Sequence, residues 1–389
     1  MNKREAGSVQ ACLFFMYFCI VLANDDFSRL ELRLRNCRVN YRWYRSRLEA
    51  STKLLVLVKA NAYGHGAVEF AAMMQSCGAD YLAVALPVEG IELRKAGITL
   101  PILVLTAGVD FLNEIIEYRL EPGIPNLYTL RAFCEILESR GIKNYPIHIK
   151  LDTGMHRLGF MTSELTDLLE FLKGRDCVKV TSVYSHLAAA EDPEQDEFTL
   201  SQISAFQANA GRISESLGYK PMYHILNSAG IERFPQYQFD MVRLGIGIYG
   251  ISASGQAPLL PVASLKVKVL QVKTLSPEDG TIGYSRKGII SRPGTVIATI
   301  PVGYADGIDR HLGCGRASFS VNGHRVPTIG NICMDMCMLD VTGADVKAGD
   351  TVTIFGDDPS VNELAEILGT IPYEILASIP RRIERVVIR

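Results

Sequence analysis

The stretch LLVLVKANAYGHG, residues 54–66, decides how the rest of this chain is read. Residues 54–58 are continuously apolar, with none of the in–out alternation of a half-solvated strand. Such a run predicts a strand buried on both faces, as in parallel sheets. The run closes on Lys59. Two glycines, Gly64 and Gly66, then lead into an amphipathic segment at 67–77. Strand, polar end, glycine-bearing turn and helix make one βα unit.

The same unit repeats outward from this point. Strand-like runs fall at 54–59, 81–85, 102–106, 123–127, 147–151, 178–184, 222–226 and 241–244, with helix-like segments such as 67–77, 88–96 and 165–172 between them. Eight parallel strands separated by helices predict a (β/α)8 TIM-type barrel in the α/β class. An open doubly wound sheet is the alternative. It is disfavoured because no glycine-rich phosphate turn of the dinucleotide-binding type follows the first strand. After 252–261 (SASGQAPLLP) the texture changes to strands at 263–272, 295–299, 317–321, 337–341 and 351–355, broken by Gly, Pro and Asn-Gly turns, with a short helix at 361–368. The expected domains are a barrel over 27–255 and a mainly β C-terminal domain over 256–389.

A chain of 389 residues has room for two such domains, and 48% hydrophobic against 21% charged residues fits large buried cores. The net charge of −2, without basic clustering, argues against nucleic acid as a partner. Nine cysteines fall in no disulfide-framework or zinc spacing. Cys333 and Cys337 stand four apart with only His324 near in sequence, so no metal site is expected, and unpaired thiols suit a reducing, cytoplasmic setting. The N-terminus points the other way. Lys3 and Arg4 precede an apolar run at 11–23, with Val21 and Ala23 placed for cleavage before Asn24. Residues 1–26 are either a signal peptide, which would send the protein to the periplasm, or an extension without structural role. The run is too short for a stable membrane span.

In a barrel of this kind function gathers where strands end and βα loops begin. Lys59, Lys150 and Asp152, His186, Asn227 and Ser228, and Arg243 with Gly245 occupy such positions on five strands. Desolvation at the barrel mouth lowers a lysine's pKa and makes it a nucleophile toward an aldehyde. The sequence pattern equally allows Lys59 to snorkel its ammonium into water.

VKANAYGHG (58–66) resembles the pyridoxal-phosphate attachment motif of the alanine racemase family. KLDTGMHRLGF (150–160), YSHLA (184–188), HILNSAG (224–230), VRLGIGIYG (242–250), IGYS (282–285), PVGYADG (301–307), GNICMDM (330–336) and PYE (372–374) resemble further blocks of that family, in its order. The resemblance runs from about residue 28 to the C-terminus. It implies pyridoxal 5'-phosphate as cofactor, and an L-/D-alanine racemase that works through an aldimine with two bases and supplies D-alanine for peptidoglycan. It also implies a homodimer with shared active sites.

Position by position, the resemblance makes Lys59 the Schiff-base lysine and one catalytic base, and Tyr284, supplied by the second subunit, the other. Tyr63, Ser228, Gly245, Ile246 and Tyr373 match phosphate-binding positions, with Asn227 beside them. Arg243 matches the partner of the pyridine nitrogen and His186 the residue that hydrogen-bonds to Arg243. Arg157 and the Met334 backbone match substrate-carboxylate contacts. Tyr304, Arg310 and Asp335 are supporting positions. Lys150 matches a lysine carbamylated in many members, where it orients Arg157; an ordinary lysine paired with Asp152 is the other reading. Two departures stand out: His156 where the family usually has glycine, and Asn331 where many members have arginine. The competing functions are a broad-specificity racemase, a barrel-type pyridoxal decarboxylase and a non-catalytic pyridoxal-binding protein. Arg243 disfavours the decarboxylase, and the β domain disfavours the non-catalytic protein.

Overall fold

The computed structural model describes residues 27–388, so residues 1–26, read as either a signal peptide or an extension, lie outside the described residues. The chain divides into two compact units. Among the described residues, one comprises Glu31–Ser264, Ser360–Arg381 and residues 387–388; the other comprises residues 27–30, Leu265–Pro359 and Arg382–Val386.

After a first strand β1 (Ser28–Arg33), the larger unit carries eight parallel strands: β2 (Lys53–Leu57), β3 (Tyr81–Val84), β4 (Ile102–Val104), β5 (Glu121–Ile124), β6 (Tyr145–Lys150), β7 (Val178–Tyr184), β8 (Met222–His224) and β9 (Met241–Leu244). They pair in the order β8-β7-β6-β5-β4-β3-β2-β9. The remaining seam is bridged by Arg243 N–H donating to the Leu226 carbonyl at 3.0 Å and Asp240 N–H to the Tyr223 carbonyl at 3.2 Å. This is the predicted (β/α)8 barrel. Its strands are buried along nearly their whole length, as β2, β3, β4 and β9 show, because helices such as Ala67–Ser76 and Pro87–Lys95 cover the outer face. The fourth strand runs over 121–124, not 123–127; Asn126 instead caps the next helix, accepting from Thr129 N–H at 2.9 Å.

Period-two geometry puts His148 and Lys150 on one face of β6, and Ser182 and Tyr184 on one face of β7. The β6–β7 register shifts between Ile147 and His148, so His148 pairs with Ser182 and Lys150 with Tyr184. Without that bulge His148 would face Thr181. Bulges re-aim side chains in this way near functional sites.

The smaller unit is mainly β. A six-stranded sheet runs in the order β16-β15-β18-β10-β1-β19, from β10 (Ala263–Lys268), β15 (Ser318–Val321), β16 (His324–Pro327), β18 (Thr351–Phe355) and β19 (Glu384–Ile388) together with β1. A three-stranded sheet joins β11 (Gln271–Leu275), β14 (Thr295–Ile300) and β17 (Cys337–Asp340), and a small hairpin pairs β12 (Thr281–Ile282) with β13 (Gly288–Ile289). The run 263–272, read as one strand, is thus two strands in different sheets. Neither glycine nor proline marks the crossing at Val269 and Leu270, whose N–H groups bond to Asp350 and Thr299 carbonyls. Asn322 and Gly323, at φ 49° and 79°, make the tight hairpin turn between β15 and β16. The helices Val361–Leu368 and Pro372–Ser378, though they follow the β strands in sequence, belong to the barrel unit.

Candidate active site

The loop after β2 takes an unusual conformation. Ala60, Asn61, Ala62 and Tyr63 all have φ between 50° and 54°, a short left-handed turn. Each residue in that region costs about 1–2 kcal/mol, so the surroundings must impose it. Ala62 N–H bonds to the Val58 carbonyl (2.9 Å), Gly64 N–H to Ala60 (3.0 Å), Ala60 N–H to Glu89 Oε1 (2.6 Å) and Ala67 N–H to Asn61 Oδ1 (3.0 Å). Gly64 is required where it stands: a Cβ there would lie 2.0 Å from the Leu376 carbonyl oxygen. Lys59 thus sits two residues past the end of its strand, at the head of this turn.

Lys59, Tyr63, Lys150, Arg157, Tyr184, His186, Asn227, Ser228, Arg243, Gly245, Ile246 and Tyr373 line one cavity of about 370 Å³, and every lining residue belongs to the barrel unit. That volume suits a small cofactor or substrate. Four cationic side chains and no carboxylate face it. Burial, then the charge of Arg157, lowers the Lys59 pKa. Burial, then Arg243 and Arg157, pulls Lys150 down to about 8. Lys150 makes no hydrogen bond or ion pair with Asp152 among the described residues; its Nζ lies 5.4 Å from the Tyr184 ring centre. Asp152 instead accepts the Gly154 and His156 N–H groups, both at 3.0 Å, and so shapes the loop that carries Arg157. His156 holds φ 53° there, the conformation a glycine would adopt without strain. Arg157 has no carboxylate partner among the described residues.

Arg243 is buried and heavily engaged. Its Nη1 donates to His224 Nδ1 (3.0 Å) and the His224 carbonyl (3.2 Å). Its Nη2 donates to the carbonyls of Ser185 (2.6 Å) and Ile225 (3.0 Å) and to His186 Nδ1 (3.1 Å). Nε–H has no acceptor among the described residues, although the side chain lines the cavity. Burial lowers the Arg243 pKa to about 10, which still leaves it cationic at neutral pH. Burial, followed by the Arg243 charge, holds His186 well below the ordinary imidazole range.

On another wall, Ser228 Oγ accepts Gly245 N–H (2.9 Å) and, longer, Gly247 N–H (3.4 Å). A Cβ on Gly245 would stand 3.2 Å from Tyr63 Oη and 3.7 Å from Ser228 Oγ, so two hydroxyls and a bare backbone meet at one point. The Tyr63 and Tyr373 rings lie 5.9 Å apart, and their hydroxyls have no acceptor among the described residues. Asn227, which also lines the cavity, uses its Oδ1 to cap the following helix by accepting Gly230 N–H at 2.9 Å.

The remaining expected site residues lie in the β unit. Tyr284 is 71% exposed on a turn with positive φ at Gly283, Ser285 and Arg286, and its carbonyl accepts from Asn331 Nδ2 at 2.8 Å. Asn331 therefore holds the Tyr284 backbone. Tyr304 and Met334 are exposed; Tyr304 N–H bonds to the Cys333 carbonyl and Ala305 N–H to that of Met334. Asp335 pairs with Arg382 Nη2 at 2.9 Å, and Arg310 opens a short 3-10 turn. Sequence reading missed Tyr184 and Leu57 in the cavity wall, and also His148, Ser182 and Glu121 beneath it. His224 stood in a quoted motif without a role.

Fold and site together define a barrel enzyme built around a desolvated lysine amine in a strongly cationic cavity. Residues 32–253 match the alanine racemase N-terminal domain, and residues 262–387 the alanine racemase C-terminal domain. An alanine racemase 2 of Bacillus subtilis is 37% identical over 374 residues, 92% of this chain and 94% of that protein. Among solved structures, an alanine racemase of Clostridium difficile superposes with a TM-score of 0.88 at 34% identity, covering 94% of this chain and 96% of that one. An alanine racemase of Bartonella henselae, described with covalently bound pyridoxal phosphate, gives 0.84 at 28% identity over 93% of this chain and all of that one. The chain belongs to the alanine racemase family, whose members are isomerases. Among the described residues no group of three or more His, Cys, Asp or Glu is placed to hold a metal ion, and no helix is long and apolar enough to cross a membrane.

Proposed function

We propose that this protein interconverts L- and D-alanine with pyridoxal 5'-phosphate as cofactor. The observation that carries the reading is the shared cavity. A lysine with a lowered pKa, a hydroxyl-lined niche at Tyr63, Ser228 and Gly245, and a guanidinium with one uncommitted N–H all line it. These groups match an aldehyde, a phosphate dianion and a pyridine nitrogen in turn, and the cation excess suits the phosphate and a substrate carboxylate together.

Lys59 is the attachment point, and Tyr63, Ser228, Ile246 and Tyr373 hold the phosphate. Bound there, pyridoxal phosphate supplies the electron sink that makes an amino-acid Cα–H acidic enough to lose. Arg157 binds the alanine carboxylate. Arg243 donates a hydrogen bond to the ring nitrogen and keeps its own proton, since a guanidinium at pKa about 10 is a poor acid. Lys59 takes or returns the Cα proton on one face. The Tyr284 hydroxyl does so on the other, because inversion needs a donor opposite the acceptor. Its exposure fits a role toward a second copy of the chain in a homodimer. The depressed value of Lys150 suits carbamylation: the neutral amine adds carbon dioxide and releases a proton, leaving an anion among Arg157 and Arg243. The D-alanine formed serves peptidoglycan synthesis.

The test is racemisation by the purified protein loaded with pyridoxal phosphate. L-Alanine should be converted at least about 100-fold more efficiently than L-lysine or L-methionine, a gap of about 2.7 kcal/mol in transition-state stabilisation. Equal turnover on lysine would replace this reading with a broad-specificity racemase. Carbon dioxide release would replace it with a decarboxylase, and cofactor binding without turnover with a non-catalytic protein.

A further inference from the structure

Five consecutive barrel strands each contribute one side chain to a single hydrogen-bonded row: Glu121 on β5, His148 on β6, Ser182 on β7, His224 on β8 and Arg243 on β9. Glu121 Oε2 to His148 Nε2 is 2.7 Å, His148 Nδ1 to Ser182 Oγ is 2.6 Å, Ser182 Oγ to His224 Nε2 is 2.8 Å, and His224 Nδ1 to Arg243 Nη1 is 3.0 Å. Apart from Glu121, every member is buried.

The two ends fix the polarity of the row. A guanidinium has donors only and a carboxylate acceptors only. Arg243 Nη1–H therefore requires a bare Nδ1 on His224, which leaves the proton of a neutral ring on Nε2, donated to Ser182. At the far end Glu121 takes His148 Nε2–H, and the Ser182 hydroxyl donates to His148 Nδ1. All four hydrogen bonds donate in one direction, away from Arg243. Their dipoles turn negative ends toward the guanidinium, where a desolvated cation gains most from them. Burial, then the Arg243 charge, keeps His224 well below the ordinary imidazole range, in accord with a neutral ring. The Tyr184 ring stacks on His224 at 5.1 Å and an 11° interplanar angle, which restricts its rotation.

We propose that Glu121, His148 and Ser182 are positioning residues that fix the His224 tautomer from inside the barrel and thereby hold the Arg243 guanidinium in the orientation that leaves its Nε–H for a ligand. That this ligand is the cofactor's ring nitrogen rests on the function proposed above; the row does not. Interrupting it at Ser182 or Glu121 lets His224 adopt the other tautomer, whose Nδ1–H opposes Arg243.

The experiment is nitrogen-15 NMR of histidine-labelled protein, with and without cofactor, beside steady-state kinetics. In the wild type His224 should carry its proton on Nε2 in both forms. Ser182→Ala should populate the Nδ1–H form and lower kcat about 10- to 100-fold, the range typical of outer-layer partners, with KM for alanine changed less than about 3-fold. Ser182→Thr, which restores a hydroxyl, and Glu121→Gln, which keeps an acceptor for His148, should both stay within about 3-fold of wild type. Glu121→Leu should behave as Ser182→Ala and serves if that variant fails to fold. A wild-type His224 protonated at Nδ1, or a doubly protonated His148, overturns the proposal without any variant. So does a kcat unchanged in both Ser182→Ala and Glu121→Leu. A wild type with the expected tautomers that does not racemise alanine would instead overturn the function and leave the row standing.

Discussion

Arg243 donates its Nη2–H to His186 Nδ1 at 3.1 Å, so the His186 ring carries its own proton on Nε2. With the His224 ring and three carbonyls, five acceptors surround one guanidinium. A lysine has three donors on a single atom and cannot reproduce that fork.

Arg243→Lys should therefore lose both stability and rate. Leaving two or more buried acceptors unmatched should lower the unfolding free energy by about 2–4 kcal/mol, read from urea denaturation. Misplacement at the ring nitrogen should lower kcat by about 100-fold. A variant as stable and as active as wild type would contradict the donor role.

Lys150 makes stability depend on pH. Its folded value is about 8 against 10.5 for an unburied lysine. Between the two the unfolded chain binds the proton more tightly, so unfolding free energy rises with pH across that window. The burial cost is fully present below about pH 8 and gone above about pH 10.5, and amounts to at most about 3 kcal/mol. In carbon-dioxide-free buffer Lys150→Met should remove this rise. An identical pH profile in the variant would show that Lys150 does not titrate in the window.

Borohydride reduction of the cofactor-loaded protein should place the label on Lys59 alone, located by peptide mass analysis. Lys59→Ala should bind without visible adduct absorbance. A label on Lys150 would move the chemistry to the wrong amine.

At the phosphate niche, Gly245→Ala would put a side chain on the bare backbone that Ser228 and Tyr63 face. Its new methyl would meet Tyr63 Oη and Ser228 Oγ. Cofactor Kd should rise about 10- to 100-fold. Tyr63→Phe, which removes one hydrogen bond to a charged group, should raise Kd about 10- to 100-fold. Unchanged Kd in both would place the phosphate elsewhere.

Tyr284→Phe should leave stability within about 0.5 kcal/mol, as expected for an exposed residue. It should slow proton exchange with solvent from one alanine enantiomer by about 100-fold or more and spare the other. Equal loss from both enantiomers would rule out opposed bases.

Sequence determined the architecture because burial on both faces of a parallel strand writes itself as continuous apolar runs, and polar residues at their ends stand out. Lys59, Lys150 and Arg243 were legible for that reason. Tertiary structure alone decided the rest. Local propensity opposes the left-handed turn at 60–63, which the hydrogen bond that Ala60 N–H donates to Glu89 and the close approach of Leu376 impose. The break between β10 and β11 carries no turn residue and is set by which neighbours accept the backbone N–H groups. The row from Glu121 to Arg243 spans residues far apart in sequence and depends on a one-residue bulge at Thr181. Its members lie on five separate strands, and a periodicity reads each strand alone; only closure of the barrel brings a carboxylate and a guanidinium to the two ends of one hydrogen-bonded chain.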